Sequence, residues 1–71
     1  MELVRNKASG KIFVVLDDGG KNEFLLVTPD GKVRTLEKHL FSAIKVDAKT
    51  PLPDRRVSAA QKKVYTSYFY D

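Results

Sequence analysis

One histidine, no cysteine and 13 lysines and arginines limit what this 71-residue chain can do chemically. A histidine that catalyses or holds a metal needs companions. His39 has only Glu37 and Lys38 beside it, on a stretch that reads as a short turn, and is expected to be an exposed polar residue. Asp17, Asp18, Asn22 and Glu23 offer oxygens, but they lack the alternating order and distant glutamate of a calcium loop. Turn formation accounts for them. Gly20-Lys21 and Gly31-Lys32 each lack the upstream glycine and following hydroxyl of a phosphate loop, and each lies between apolar runs. No serine stands in the Gly-x-Ser-x-Gly setting of a nucleophile elbow. The chain is therefore expected not to be an enzyme and to carry no metal or cofactor.

Binding chemistry remains. Lys32 and Arg34 alternate with Val33 and Thr35, so in a strand both cations share one face. If Val33 points inward, they point out together. Arg5 and Lys7 alternate in the same way. Closure of a barrel would gather the four into one patch, able to contact DNA or RNA phosphates with release of counterions. A solvated basic face that keeps a small domain dispersed would use the same residues. Net charge is +4, and its distribution is uneven. Residues 1–16 carry +2, 17–30 carry −3, 31–45 carry +3 and 46–71 carry +2. Acid gathers around two turns and base elsewhere, which permits nucleic-acid contact.

The end of the chain is aromatic. Tyr65, Tyr68, Phe69 and Tyr70 are four of its seven aromatic residues. They could stack on exposed bases, form a surface for a protein partner, or pack on the rest of the fold. The strands favour packing. Ile12-Phe13-Val14-Val15-Leu16 and Phe24-Leu25-Leu26-Val27 are apolar on both faces, whereas a single-layer sheet buries one. A cover is needed, and Val64, Tyr68 and a neighbouring ring are the spare apolar element.

These residues sit on a legible series of elements. Leu3 to Lys7 reads as a first strand, and Ala8-Ser9-Gly10 as a turn. Residues 11–17 and 23–28 are the strongest strands, rich in β-branched and aromatic side chains. Asp17 to Asn22 separates them, and Pro29-Asp30-Gly31 suits a tight turn. Lys32 to Thr35 is a basic strand. Leu36 and Leu40 are four apart, which predicts a short helical turn with both on one side. Ser42 to Val46 returns to strand. Pro51 and Pro53 make 47–57 a connector. Ser58-Ala59-Ala60-Gln61 has the pattern of a helix capping box. Ala60, Val64 and Tyr68 then share a helical face, predicting a helix over about 58–68. The β-rich composition of 64–70 makes a strand the competitor.

Four strands, one helical turn and a last strand is the order of an SH3-like barrel. Gly10 before Lys11-Ile12-Phe13-Val14-Val15, with Asp30-Gly31-Lys32-Val33-Arg34 later, resembles the KOW-type SH3-like domains of ribosomal and transcription-associated proteins over residues 3–46. The resemblance implies a five-stranded β-barrel and a nucleic-acid partner.

The expected fold is thus mainly β: an SH3-like barrel over 1–46, a connector over 47–57, and a helix with aromatic tail over 58–71, all one domain. No apolar run approaches the ~20 residues of a membrane span, and no signal peptide is evident. Absence of cysteine fits a reducing compartment, so a cytoplasmic location is expected. The leading functional expectation is nucleic-acid binding through Arg5, Lys7, Lys32 and Arg34. The alternative is a protein-interaction module using the aromatic tail or an exposed strand edge.

Overall fold

The computed structural model describes residues 2–20, 22–44 and 55–70. It is mainly β. Five strands, β1 (Glu2–Asn6), β2 (Ile12–Asp17), β3 (Glu23–Val27), β4 (Val33–Glu37) and β5 (Phe41–Ile44), precede one helix, α1 (Ala59–Tyr70). The strands form one antiparallel sheet in the order β4-β3-β2-β1-β5. Most of the 45–57 region, residues 45–54, lies outside the described residues, and with it most of the expected connector.

The turns follow from their residues. After β1 the Asn6 side chain accepts the N–H groups of Ala8 and Ser9 at 3.0 and 2.9 Å, and Gly10 closes the loop at φ 74°. Between β3 and β4, Thr28 and Lys32 exchange the last rung, with Thr28 N donating to the Lys32 carbonyl at 2.8 Å. Gly31 sits there at φ 86°, a conformation that a side chain disfavours.

Alternation along the strands gives the sheet two apolar faces. Leu3, Val14, Leu16 and Val27 lie on one, joined by Val57 and flanked by Ile12, Leu25 and Ile44. Val64 and Tyr65 of α1 pack against this cluster, so the helix is the cover that the two-faced strands require. Val4, Phe13, Val15, Leu26 and Phe41 lie on the other face, with Phe24 and Leu36 against them. Among the described residues no helix covers that side; curvature does. Phe24 on β3 and Phe41 on β5 are three ladder steps apart, about 14 Å across a flat sheet. Their ring centroids are 6.2 Å apart, and Phe41 meets Phe13 edge-on at 5.1 Å. The sheet therefore curls around these rings.

Three expectations are corrected. The sheet is open: β4 and β5 are its edges, so the expected five-stranded closure is replaced by a curled sheet closed by side chains. The helical turn is a 3-10 turn at Lys38–Leu40, and Leu36 belongs to β4, packed inside the curl, while Leu40 is exposed. Pairing of Phe24 with Leu36 outweighs the local i, i+4 spacing. Finally, residue 57 is not mere connector: Val57 is buried in the core beneath α1. The last twelve-residue element is helix, not strand, and it runs to Tyr70.

The helix is anchored at its first turn. Gln61 N donates to Ser58 Oγ at 3.1 Å, and Ser58 N donates to Gln61 Oε1 at 2.9 Å, the reciprocal bonds of a capping box. The same two side chains also reach the sheet. Ser58 Oγ donates to the Pro29 carbonyl at 2.8 Å, and Gln61 Nε2 donates to the Ile12 and Val27 carbonyls at 2.9 and 3.2 Å.

Candidate functional site

Helix α1 packs over β2 and β3, with β4 at its side. Its start touches the β3–β4 turn, where a Cβ on Gly31 would come within 2.9 Å of the Ala60 Cβ. Farther along, Val33 of β4 and Lys63, Val64, Ser67 and Tyr68 of α1 line an open groove. Its walls are apolar: Val33 is 43% exposed and Tyr68 is 52% exposed. Two more rings follow on the helix, Phe69 at 47% and Tyr70 at 69% exposure. Phe69 lies 4.7 Å from Tyr65 and 4.9 Å from Tyr68, so the rings form a continuous aromatic surface.

The aromatic residues therefore divide. Tyr65 packs on the core, and burial pushes its hydroxyl above the ordinary tyrosine value, with Tyr70 adding to the effect. Tyr68, expected to share in the cover, instead stands half in solvent, and Val64 and Tyr65 take its place. Tyr68 shares the helical face of Gln61, Val64 and Tyr65, but one turn farther along α1 it lines the open groove with the exposed Val33 and is not packed on the buried cluster.

Among the described residues one cation, Lys63, lines the groove. Lys32 and Arg34 flank Val33 in sequence and are exposed. Residues 55–70 contain Arg55, Arg56, Lys62 and Lys63 and no acid. The nearby carboxylate is Asp30, 3.9 Å from Lys32 Nζ. The Thr28 hydroxyl, the largest cause, holds the Asp30 carboxyl below its ordinary range; slight desolvation opposes this, and its own N–H, Lys32 and Arg34 assist. The Arg34 guanidinium donates to the Val33 carbonyl at 3.0 Å. That carbonyl points to the open side of β4, because the preceding one, of Lys32, is bonded to β3.

The four basic residues read from the sequence are not brought into one patch. Register pairs Arg5 with Ile12 and Ser42, on the face that α1 covers, whereas Arg34 lies opposite Leu26, on the curled face. Strands β2 and β3 separate them. Lys7 falls in the turn after β1, where its N–H donates to the Leu40 carbonyl at 2.9 Å. Lys32 and Arg34 alternate with Val33 and so share the curled face of β4, while Val33 lines the groove with Lys63 and Tyr68 on the side of α1. The sequence carried a signal for the groove in the spacing 63, 64, 67 and 68, but that Val33 stands beside them depends on the tertiary placement of α1, whose start touches the β3–β4 turn at Gly31 and Ala60.

A second depression lies at the other end of β4, lined by Asn22, Glu23, Glu37, Lys38 and His39. Glu23 and Glu37 are directly paired in register, an arrangement of like charges. His39 contacts the Glu37 carboxylate, and Lys38 pairs with Asp18 while lying 5.3 Å over the Phe24 ring. Asp17 accepts the Gly19 N–H at 3.0 Å, the turn chemistry expected of it. Among the described residues no three His, Asp or Glu side chains converge in the manner of a metal site. No helix among them is long and apolar enough to cross a membrane.

Comparisons with protein-family models, with curated proteins and with solved structures find no match to this chain. Function is therefore read from the geometry alone.

Proposed function

We propose that the chain is a non-catalytic binding module whose partner is nucleic acid, held on the surface shared by β4 and α1. The supporting observation is the meeting of Lys63 with the exposed Tyr68 ring in one groove, on a helix segment without acids, beside the edge strand that carries the exposed Lys32 and Arg34. Cations supply phosphate contact, and the rings supply faces on which bases stack. The curled five-stranded sheet, with its 3-10 turn between β4 and β5, is compatible with an SH3-like architecture. Arg5 and Lys7, on a separate part of the surface, are outside this interface.

The alternative is a protein partner seated on Tyr68, Phe69 and Tyr70 or added to the β4 edge. The rings are large and exposed enough for it. Strand addition at β4 is the weaker form, because Arg34 already occupies the Val33 carbonyl on that edge.

The test is the salt dependence of oligonucleotide affinity. Combined Lys32→Ala, Arg34→Ala and Lys63→Ala should flatten the slope of log affinity against log salt by roughly 0.7–0.9 for each phosphate no longer neutralised. The pair Arg5→Ala and Lys7→Ala should leave it unchanged. An unchanged slope in the triple variant, or no binding at low salt, contradicts the proposal.

A further inference from the structure

We infer that the groove between Val33 and Tyr68 seats an unpaired base, so that the module selects single-stranded over double-stranded nucleic acid; this rests on the reading that the β4–α1 surface binds nucleic acid. In a duplex the base faces are already stacked on one another, and only phosphates and groove edges meet a protein. An apolar groove beside an exposed ring has no use for those. An unpaired base does: its flat apolar faces match an aromatic side chain, whatever the base. Tyr68 meets Phe69 in a T-shaped contact, which uses at most one face of the Tyr68 ring. Val64 and Val33 form the apolar floor and far wall, and Ser67 adds a hydroxyl. Lys63 stands in the same groove, in a 55–70 segment with three further cations and no acid, and supplies charge for a phosphate beside a seated base.

Phe69 and Tyr70 extend this surface toward the end of α1, exposed to a similar degree or more. A strand entering at the Lys32 end would run past Val33 and Tyr68 toward them. An acidic peptide would satisfy the same cations. Its natural way of docking beside a strand, by pairing with the β4 edge, meets a carbonyl already bonded to Arg34. A single-stranded nucleic acid needs no backbone pairing.

The experiment measures fluorescence anisotropy of a labelled oligothymidine of about ten nucleotides, within the span of one small binding domain, and of a duplex of equal length. Both are titrated with the folded wild-type chain and with Tyr68→Leu and Tyr68→Phe, at about 50 and 200 mM salt. Tyr68 is half exposed, so both variants should keep the wild-type melting temperature. Wild type should prefer the single strand. Tyr68→Leu keeps apolar bulk but removes the π face, and should weaken single-strand binding by roughly 5- to 150-fold. It should leave duplex binding unchanged, and Tyr68→Phe should keep the preference. Equal binding of strand and duplex, with Tyr68→Leu unaffected, overturns base seating while leaving the basic surface in place. Absence of binding to either at low salt overturns both.

Discussion

Gln61 Nε2 donates to the Ile12 carbonyl at 2.9 Å, at a position where the sheet itself has no donor. Val14 pairs with Val27 and Val15 with Leu26, so the same register carried two residues past the end of β3 sets Ile12 against Pro29. The Ile12 carbonyl faces that way, because the Lys11 carbonyl is bonded to Asn6 on β1. Proline has no N–H. Gln61 supplies the missing hydrogen, and Ser58 supplies one to the Pro29 carbonyl. The capping box of α1 thus finishes the β2–β3 ladder, and helix and sheet become one structure.

Loss of this amide should be costly. Gln61 is 1% exposed, and its Oε1 and Nε2 all have partners. Gln61→Leu strands a buried carbonyl and an N–H, each worth about 1–3 kcal/mol. Denaturant unfolding should show a loss of roughly 2–4 kcal/mol, a large share of the 5 or so available to so small a domain. Gln61→Glu keeps the cap but turns a carboxylate on two carbonyls. Burial and those carbonyls raise the folded-state pKa of the introduced carboxyl above its unfolded value. The folded state then holds the proton longer, so stability should fall as pH rises past about 4.3. A variant as stable as wild type at neutral pH would contradict the ladder-completing role.

Gly31 reports the closeness of α1 to the β3–β4 turn. Its φ of 86° is strained for alanine, by about 1–2 kcal/mol, and the new Cβ would press on Ala60 at 2.9 Å. Gly31→Ala should therefore destabilise by roughly 2–4 kcal/mol, measured by thermal unfolding. Pairing it with Ala60→Gly should recover the steric part and leave the backbone part. Equal stability of Gly31→Ala with and without Ala60→Gly would mean that the helix does not sit against this turn.

Tyr65 and Tyr68 should behave oppositely. Tyr65 packs on Leu3, Val14, Leu16, Val27 and Val57, so Tyr65→Ala should cost roughly 2–4 kcal/mol, somewhat below a fully buried ring. Tyr68→Ala should stay within about 1 kcal/mol. Deleting residues 55–71 uncovers the whole face and should leave the chain unfolded or aggregated, by circular dichroism and amide dispersion. A deletion variant with dispersed amide signals would contradict the cover role of α1.

Alkaline titration separates the same residues. Burial raises the Tyr65 pKa in the folded state. Above the ordinary value, about 10, the unfolded chain loses this proton before the folded one does, so stability falls as pH rises through it. Tyr65→Phe should remove that part of the alkaline loss, read as unfolding midpoint against pH. An unchanged alkaline slope in Tyr65→Phe would assign the loss to other groups.

The strands and turns were legible because they depend on local chemistry: alternation at 12–16 and 24–27, Pro29-Asp30-Gly31, and the Ser58–Gln61 box. The need for a cover was legible too, from strands apolar on both faces. What was not legible depended on register across the sheet. Nothing local assigns Gln61 to the Ile12 carbonyl, since that comes from Pro29 falling opposite it. Leu36 and Leu40 mimic a helical pair, but cross-strand contact with Phe24 holds Leu36 in β4. Val57 stands between an arginine and a cap with no periodic companion, so burial could not be read from spacing. Arg5 and Arg34 each share a face with neighbours in their own strand, yet the faces are opposite ones.

The central claim is that nucleic acid lies on the β4–α1 surface, and amide chemical shifts of the isotope-labelled chain test it most directly. On addition of oligothymidine of about ten nucleotides, at low salt, shifts should concentrate at 32–35 and 63–70, with Arg5, Lys7 and the Asn22–His39 depression unmoved. Shifts centred on Arg5 and Lys7, or on that depression, or no shifts at all, would contradict it.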